Sequence, residues 1–379
     1  MSDWNKVRLG DYIHEYSERN KDDADIPVYS VTNSNGFCTE YFSKEVASKD
    51  KTTYKIVRKG YFAYNPSRIN VGSVDWLRNE DAVIVSPLYN VFYVDDSIDQ
   101  QYLYYYLKSP VGLYYISELA SGSVRDNLKL SILSEFRIPL PDIKTQKEIV
   151  ATLDSLVHTI NVCNAMLKKI DLLVKSRFVE MFGDPINNPL NWKKMQLQDI
   201  VTPDCTISYG IVQTGDDQEE GVPVFRPVDI VNRMPIRAEL KKTTQEISDK
   251  YKRTILKGRE LLITVRANIA DTYIAGEEFK GCNVGRGIVP IRTDERIIRL
   301  EFLKQQIDNE HLNEWIKSKA KGMTLIQLNM EDLRVLELIV PPLALQEQFA
   351  DFVEKTDKSK FIVINIKKNI RRVRLYDQF

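Results

Sequence analysis

Apolar residues recur through the middle of the chain at Ile149, Leu153, Leu156, Ile160, Cys163, Leu167, Ile170 and Val174. The steps alternate four and three, which is the seam of a heptad repeat. The phase breaks at Arg177 and resumes one position over, at Phe178 and Met181. Pro141 and Asp142 supply a helix start, and Gly183 followed by Asp184-Pro185 supplies a stop. The pattern predicts one helix over 142–182, roughly 60 Å long at about 1.5 Å per residue. A helix of that length cannot bury its seam alone. A weaker seam with the same spacing follows much later, at Phe349, Phe352, Thr356, Ser359, Val363, Ile366, Ile370 and Val373. It predicts a second helix over 342–379, with Thr356 and Ser359 as polar seam positions that set register. The two helices open on the same phrase. Pro141, Gln146 and Ile149 are matched by Pro341, Gln346 and Phe349.

Ahead of each helix the periodicity shortens. Period-two runs predict strands over 26–31, 55–57, 60–64, 82–85, 89–94 and 135–140, with helices over 99–109 and 111–119. The second half repeats these landmarks in order. Trp4, Val7, Leu9 and Asp11 return as Trp192, Met195, Leu197 and Asp199. Lys59-Gly60 returns as Lys257-Gly258, Arg68 and Asn70 as Arg266 and Asn268, and Leu103 as Leu303. Gly122 and Leu128 return as Gly322 and Leu328. This is an internal duplication. The predicted class is α+β, with two globular domains in pseudo-twofold tandem, 1–141 and 183–341. Two long helices, 142–182 and 342–379, separate them and pair as an antiparallel coiled coil. The halves diverge most across 14–50 and 202–250, so those stretches are the ones expected to do different jobs.

Composition changes this picture little. The 379 residues suit two to three domains, and 43% hydrophobic residues suffice for packed cores. Formal net charge is zero, which gives no overall pull toward nucleic acid. Four cysteines are scattered without CxxC spacing, so neither zinc nor a disulfide framework is signalled, and a reducing cytoplasm fits. No apolar run is long enough to span a membrane.

Catalytic motifs are lacking. No GxxxxGK[ST] or GxGxxG occurs in the required context. Asn65-Pro66-Ser67 departs from the Asn-Pro-Pro-aromatic pattern of adenine methyltransferases. Asp204 with Glu239 and Lys241 fits a nuclease constellation only loosely. His14, His158 and His311 lie far apart in the sequence. Binding chemistry is better represented. Arg donates two hydrogen bonds to guanine O6 and N7, Asn pairs likewise with adenine, and both clamp phosphates. Arg68, Asn70, Arg266 and Asn268 occupy matched polar loops, which suits a shared scaffold or phosphate role. Base reading is expected from the divergent parts. In the first half the candidates are Asn33, Asn35, Lys49, Lys51, Ser123 and Arg125. In the second they are Gln213, Arg226, Asp229, Arg233 and Thr324.

Together these landmarks resemble the specificity subunit of type I restriction–modification systems, over the whole chain. The resemblance rests on Trp4–Tyr12 and its repeat Trp192–Ile200, on Ile138-Pro-Leu-Pro141 with Gln146, on Phe178–Pro185, and on Pro341-Pro342 with Gln346. Ile339 and Val340 stand where the first half has Pro139 and Leu140, so the second proline pattern is incomplete. The resemblance implies a non-catalytic, cytoplasmic subunit with two target-recognition domains, each reading half of a split sequence in double-stranded DNA. It implies that the helix pair sets the spacing and docks two methylation subunits, which restriction subunits join. It also implies that this chain binds no cofactor, S-adenosylmethionine being held by the methylation subunits. The competing readings are a self-contained DNA methyltransferase or nuclease, and a coiled-coil scaffold with no DNA role.

Overall fold

The computed structural model describes residues 4–39, 50–120, 127–231, 235–322 and 326–373, for 120 and 371–373 the backbone only. Two compact units emerge: residues 1–164 with 364–379, and residues 165–363. The division therefore falls inside the long helices, whereas the sequence pattern places boundaries at their ends. Each unit owns one segment of each helix.

In the first unit the strands are β1 (Lys6–Arg8), β2 (Ile13–Glu15), β3 (Ser30–Thr32), β4 (Gly36–Cys38), β5 (Lys55–Arg58), β6 (Phe62–Tyr64), β7 (Val74–Trp76), β8 (Ala82–Val85) and β9 (Asn90–Val94). Helices α1 (Gln100–Lys108), α2 (Pro110–Ala120) and α3 (Leu130–Leu133), strand β10 (Arg137–Pro139) and helix α4 (Ile143–Phe182) follow. The central sheet runs β2-β9-β6-β7, β3 and β4 form a hairpin, and β5 pairs with β8. Alternate residues of β6 and β9 face the core, where Phe62 stacks on Phe92 at 4.9 Å. The strand expected over 26–31 forms as a ladder only at Ser30–Thr32; before it the Pro27 carbonyl and Tyr29 N–H clasp Ile84 in a single parallel bridge, and Pro27 has no N–H to extend it. Strand β1 pairs with β10, Val7 opposite Ile138, and so ties the N-terminus to the entry of α4.

The second unit contains β11 (Lys194–Gln196), β12 (Val222–Phe225), α5 (Pro227–Val231), β13 (Lys242–Thr243), α6 (Gln245–Lys250), β14 (Glu260–Thr264), β15 (Thr272–Ala275), β16 (Asn283–Val284) and β17 (Ile288–Ile291). Helices α7 (Leu300–Ile307), α8 (Glu310–Ser318) and α9 (Met330–Arg334) and strand β18 (Glu337–Ile339) follow, and helix α10 (Leu343–Val373) belongs to this unit as far as Val363. Its sheets are β15-β14-β17 and β13-β12-β16, and β11 pairs with β18 as β1 does with β10. Phe178 and Phe182 at the end of α4 pack on Phe302, at 5.4 and 4.7 Å, and on Phe349 at the start of α10, at 5.6 and 5.7 Å.

The shared helix phrase has a structural cause. Asp142 caps α4, accepting the Thr145 N–H at 3.0 Å. Gln146 is fully buried. Its Oε1 accepts the Asp99 N–H at 2.8 Å, and its Nε2 donates to the Ser97 and Pro141 carbonyls, both at 2.8 Å. Gln346 repeats this at Arg299 N–H (2.9 Å), Ile297 O (3.1 Å) and Pro341 O (2.8 Å). Each glutamine staples the start of a long helix to the turn before α1 or α7. At the far end of α4, Gly183 adopts φ +76° and its N–H closes on the Val179 carbonyl.

Along α4 every seam position expected between Ile149 and Val174 is buried or half-buried, and the break at Arg177 hands over to buried Phe178. On α10 the expectation needs correction. Phe349, Thr356 and Val363 are buried, but Ser359 and Ile366 are exposed. Lys360 and Lys367 are half-buried in their place. After Thr356 the seam advances four residues instead of three. A lysine stem covers apolar surface while its ammonium reaches out. Lys360 Nζ reaches Asp171 of α4 at 2.8 Å. With Phe349 near Phe178 and Lys360 near Asp171, the two helix segments of this unit run antiparallel.

Candidate nucleic-acid interface

In the first unit the strand register gathers several polar loops at one edge. Tyr64 of β6 lies opposite both Val74 and Asn90, so the 65–73 loop and the turn before β9 leave the sheet at the same end. The turn Ser86–Tyr89 is closed by the Tyr89 N–H on the Ser86 carbonyl at 3.0 Å. Lys55 Nζ holds the Tyr89 carbonyl at 2.7 Å, which brings the 51–54 segment to the same edge. Within the 65–73 loop the Arg68 carbonyl accepts the Val71 and Ser73 N–H groups. Gly72 provides the left-handed residue, φ +91°. The Arg68 side chain is exposed and forms no ion pair among the described residues. Asn70 and Lys51 are half-buried.

The β3–β4 hairpin brings its tip to this loop. Asn33, Ser34 and Asn35 are exposed, and a Cβ on Gly72 would lie 2.8 Å from Asn33 Oδ1. The tip is anchored from beneath. Lys108 Nζ donates to the Asn33 carbonyl at 2.7 Å, and Asp75 accepts the Phe37 N–H at 3.1 Å. Arg78 bonds Asp75 at 2.7 Å and lies over the Trp76 and Tyr104 rings, 4.5 and 4.9 Å from their centroids. Burial holds the Lys108 ammonium pKa below its ordinary value. Asn33, Asn35, Lys51, Arg68 and Asn70 thus converge. Lys49, Ser123 and Arg125 lie outside the described residues.

In the second unit the corresponding candidates meet around Gly285–Gly287. Thr264 of β14 lies opposite Ile288 of β17, so the 265–271 loop and the turn before β17 share an edge. The Ile211 N–H bonds the Val284 carbonyl at 2.8 Å, which brings exposed Gln213 close. A Cβ on Gly287 would meet Pro227 Cγ at 2.5 Å and Arg266 Cβ at 3.5 Å. Two candidates are committed to each other. Arg226 Nε and Nη2 donate to the two Asp229 oxygens at 3.1 and 2.9 Å. That carboxylate raises the Arg226 pKa. Each of these two candidates therefore has the other as its partner, and the Arg226 side chain stays 43% accessible. Arg266 is half-buried and donates to the Gln327 amide oxygen, a neutral partner that leaves its charge intact. Asn268 is exposed, but its carbonyl is held by the Thr264 hydroxyl. Arg233 and Thr324 lie outside the described residues. Arg286, which the sequence reading passed over, is exposed and without hydrogen bond or ion pair among the described residues. Its signal is the Gly285-Arg286-Gly287 tripeptide.

The loose nuclease constellation does not assemble. Asp204 bonds Lys257 and lies 2.9 Å from Arg292, and these cations with Thr202 hold its carboxyl well below the usual range. Lys241 donates instead to the Gly215 carbonyl at 2.6 Å, and Glu239 is exposed. His14 lies tilted against Tyr93, ring centroids 5.0 Å apart, His158 is exposed, and His311 Nδ1 lies 2.5 Å from Asp184.

Comparison with known proteins places this arrangement. The family model described as the type I restriction modification DNA specificity domain matches residues 1–172 and 189–372. The specificity subunit of the type I restriction enzyme EcoBI from Escherichia coli is 23% identical over 370 residues, covering 86% of this chain and 77% of the relative. That of MjaIX from Methanocaldococcus jannaschii is 25% identical over 300 residues, covering 73% and 66%. Two solved structures share the fold. One is the type I restriction–modification S subunit from M. genitalium, with TM-score 0.56, 14% identity, and 98% and 94% of the chains covered. The other is a chain from a study of complex assembly and conformational transition of the type I R-M system. It has TM-score 0.55, 18% identity, and 98% and 96% of the chains covered.

Proposed function

Because this chain belongs to the type I restriction–modification DNA specificity family, we propose that each unit reads one half of a bipartite double-stranded DNA target. The chain is the DNA-recognition subunit of such a complex. The observation that carries the two-half reading is the duplicated scaffold with unlike loops: Gln146 and Gln346 make the same three bonds, while the polar loop edges differ between units. Catalysis then belongs to methylation subunits that carry S-adenosylmethionine, two per chain, with restriction subunits joining them. A cytoplasmic location accords with this role. Among the described residues no helix is long and apolar enough to cross a membrane.

The long helices supply the docking surface and set the spacing between half-sites. Beside the seam, α4 exposes Leu172 and Leu173, and α10 exposes Phe361 and Ile362, 63% and 60% accessible. Lys168, Lys169 and Lys175 lie exposed among them. Apolar side chains rimmed by charge suit a protein partner.

The test is methylation mapping with the reconstituted complex, alongside the purified chain incubated alone with methyl donor and DNA. The expected result is a split motif with a fixed spacer, and no transfer by the chain alone. A single uninterrupted motif, or transfer by the lone chain, overturns the reading.

A further inference from the structure

The turn that leads into the strand beside β6 or β14 occupies the same place in both units. Tyr64 pairs with Asn90, and Ile263 with Val289. In the first unit the turn is Ser86–Tyr89, and in the second it is Gly285–Ile288. Each is closed by an N–H of its last residue on the carbonyl of its first, at 3.0 and 3.1 Å. Both are tied to the body of their unit. Lys55 holds the Tyr89 carbonyl at 2.7 Å. The Gly285 N–H bonds Phe225 O, and the Gly287 carbonyl accepts the Val265 N–H, both at 2.8 Å. Gly285 and Gly287 are buried, and a Cβ on either would crowd Phe225 O or Pro227. What differs is the exposed tip. One turn presents Leu88, 80% accessible, and the other presents the guanidinium of Arg286, unpaired among the described residues.

Phosphates are the same in both half-sites, whereas the bases are not. A residue kept in both units, such as Arg68 with Arg266, suits the backbone. A residue that differs on a matched and rigid turn suits a base edge. Resting on the reading of this chain as a two-part DNA reader, we propose that these turns are base-reading elements. Arg286 donates to O6 and N7 of a guanine in the second half-site, and Leu88 packs on a thymine methyl in the first. Arg226, paired with Asp229, holds the Pro227 turn that packs against Gly287 beside Arg286.

The test assembles the full chain with its methylation subunits and maps methylation on a randomised DNA library. Arg286→Ala is expected to relax one guanine position of the second half-site by roughly 5- to 150-fold, the worth of one bidentate contact. Arg286→Lys should relax it too, because an ammonium keeps the charge but loses the planar fork. Leu88→Ala should relax one position of the first half-site and leave the second unchanged. Unmoved melting temperatures show that the variants fold. A variant that leaves its own half-site intact overturns the proposal. So does Arg286→Ala if it weakens all sequences evenly and lowers the salt slope by about one, since that marks a phosphate contact. A wild-type complex with no split motif removes the underlying two-part reading instead, and is told apart by that control.

Discussion

Gln146 is a neutral residue in the core, and its three bonds are the reason it can be there. Replacing it with leucine keeps most of the volume and leaves the Asp99 N–H with the Ser97 and Pro141 carbonyls lacking that partner. An unsatisfied buried group costs about 1–3 kcal/mol, and water can replace the bond at exposed Ser97. Gln146→Leu should therefore lower stability by about 2–4 kcal/mol in a denaturant titration, and Gln346→Leu should do the same in the second unit. A loss below about 0.5 kcal/mol would show that the turns before α1 and α7 hold without the staple. Arg68 poses the opposite case, an exposed cation with nothing to bond among the described residues. Arg68→Ala is expected to leave the melting temperature unchanged. It should weaken binding about evenly across sequences and reduce the salt slope by about one. A change confined to one base position would make Arg68 a base reader.

At the scale of elements, α10 tests how far a heptad pattern can be trusted. Phe349 belongs to the phenylalanine cluster that closes the second unit, so Phe349→Ala should cost about 3–5 kcal/mol. The heptad count puts Ser359 in the seam, but Ser359 is exposed and Lys360 takes the buried side. Ser359→Ala should thus fall within about 0.5 kcal/mol of the parent by denaturant titration. A clear stabilisation on removing its hydroxyl would instead put Ser359 in an apolar seam. The slip has a simple origin. A pattern of apolar letters scores isoleucine above lysine, yet the methylene stem of Lys360 packs while its head meets Asp171. Ile366, with the better letter, is left 44% accessible.

The whole molecule is a duplicated scaffold joined through two shared helices, and the proposed spacing role has a direct consequence. One heptad lengthens a helix by about 10 Å and preserves seam phase. Matched seven-residue insertions after Leu156 and beside Val363 should lengthen the spacer by roughly three base pairs at about 3.4 Å each. Both half-sites should stay the same in methylation maps, even if activity falls with the added rotation about the DNA axis. Altered half-sites with an unaltered spacer would mean that the helices read bases. The duplication, the class, the α4 seam and the helix caps were all legible in the sequence. They rest on local periodicity and on Pro, Gly, Asp and Gln at fixed offsets, which short-range sterics and hydrogen bonding impose wherever they occur. The membership of the two loop edges was only partly legible. Asn33, Arg68 and Asn70 were found as polar letters in loops, and Arg226 with Asp229, read as two separate candidates, are a local pair three residues apart. Arg286 looks ordinary until the register of β14 and β17 brings it beside Arg266. Which cations are left unpaired, and which turns of two distant repeats coincide, depends on long-range pairing. For Arg266 with Gln327, or Gly285 with Phe225, no window of sequence contains both partners, so only the tertiary structure decides them.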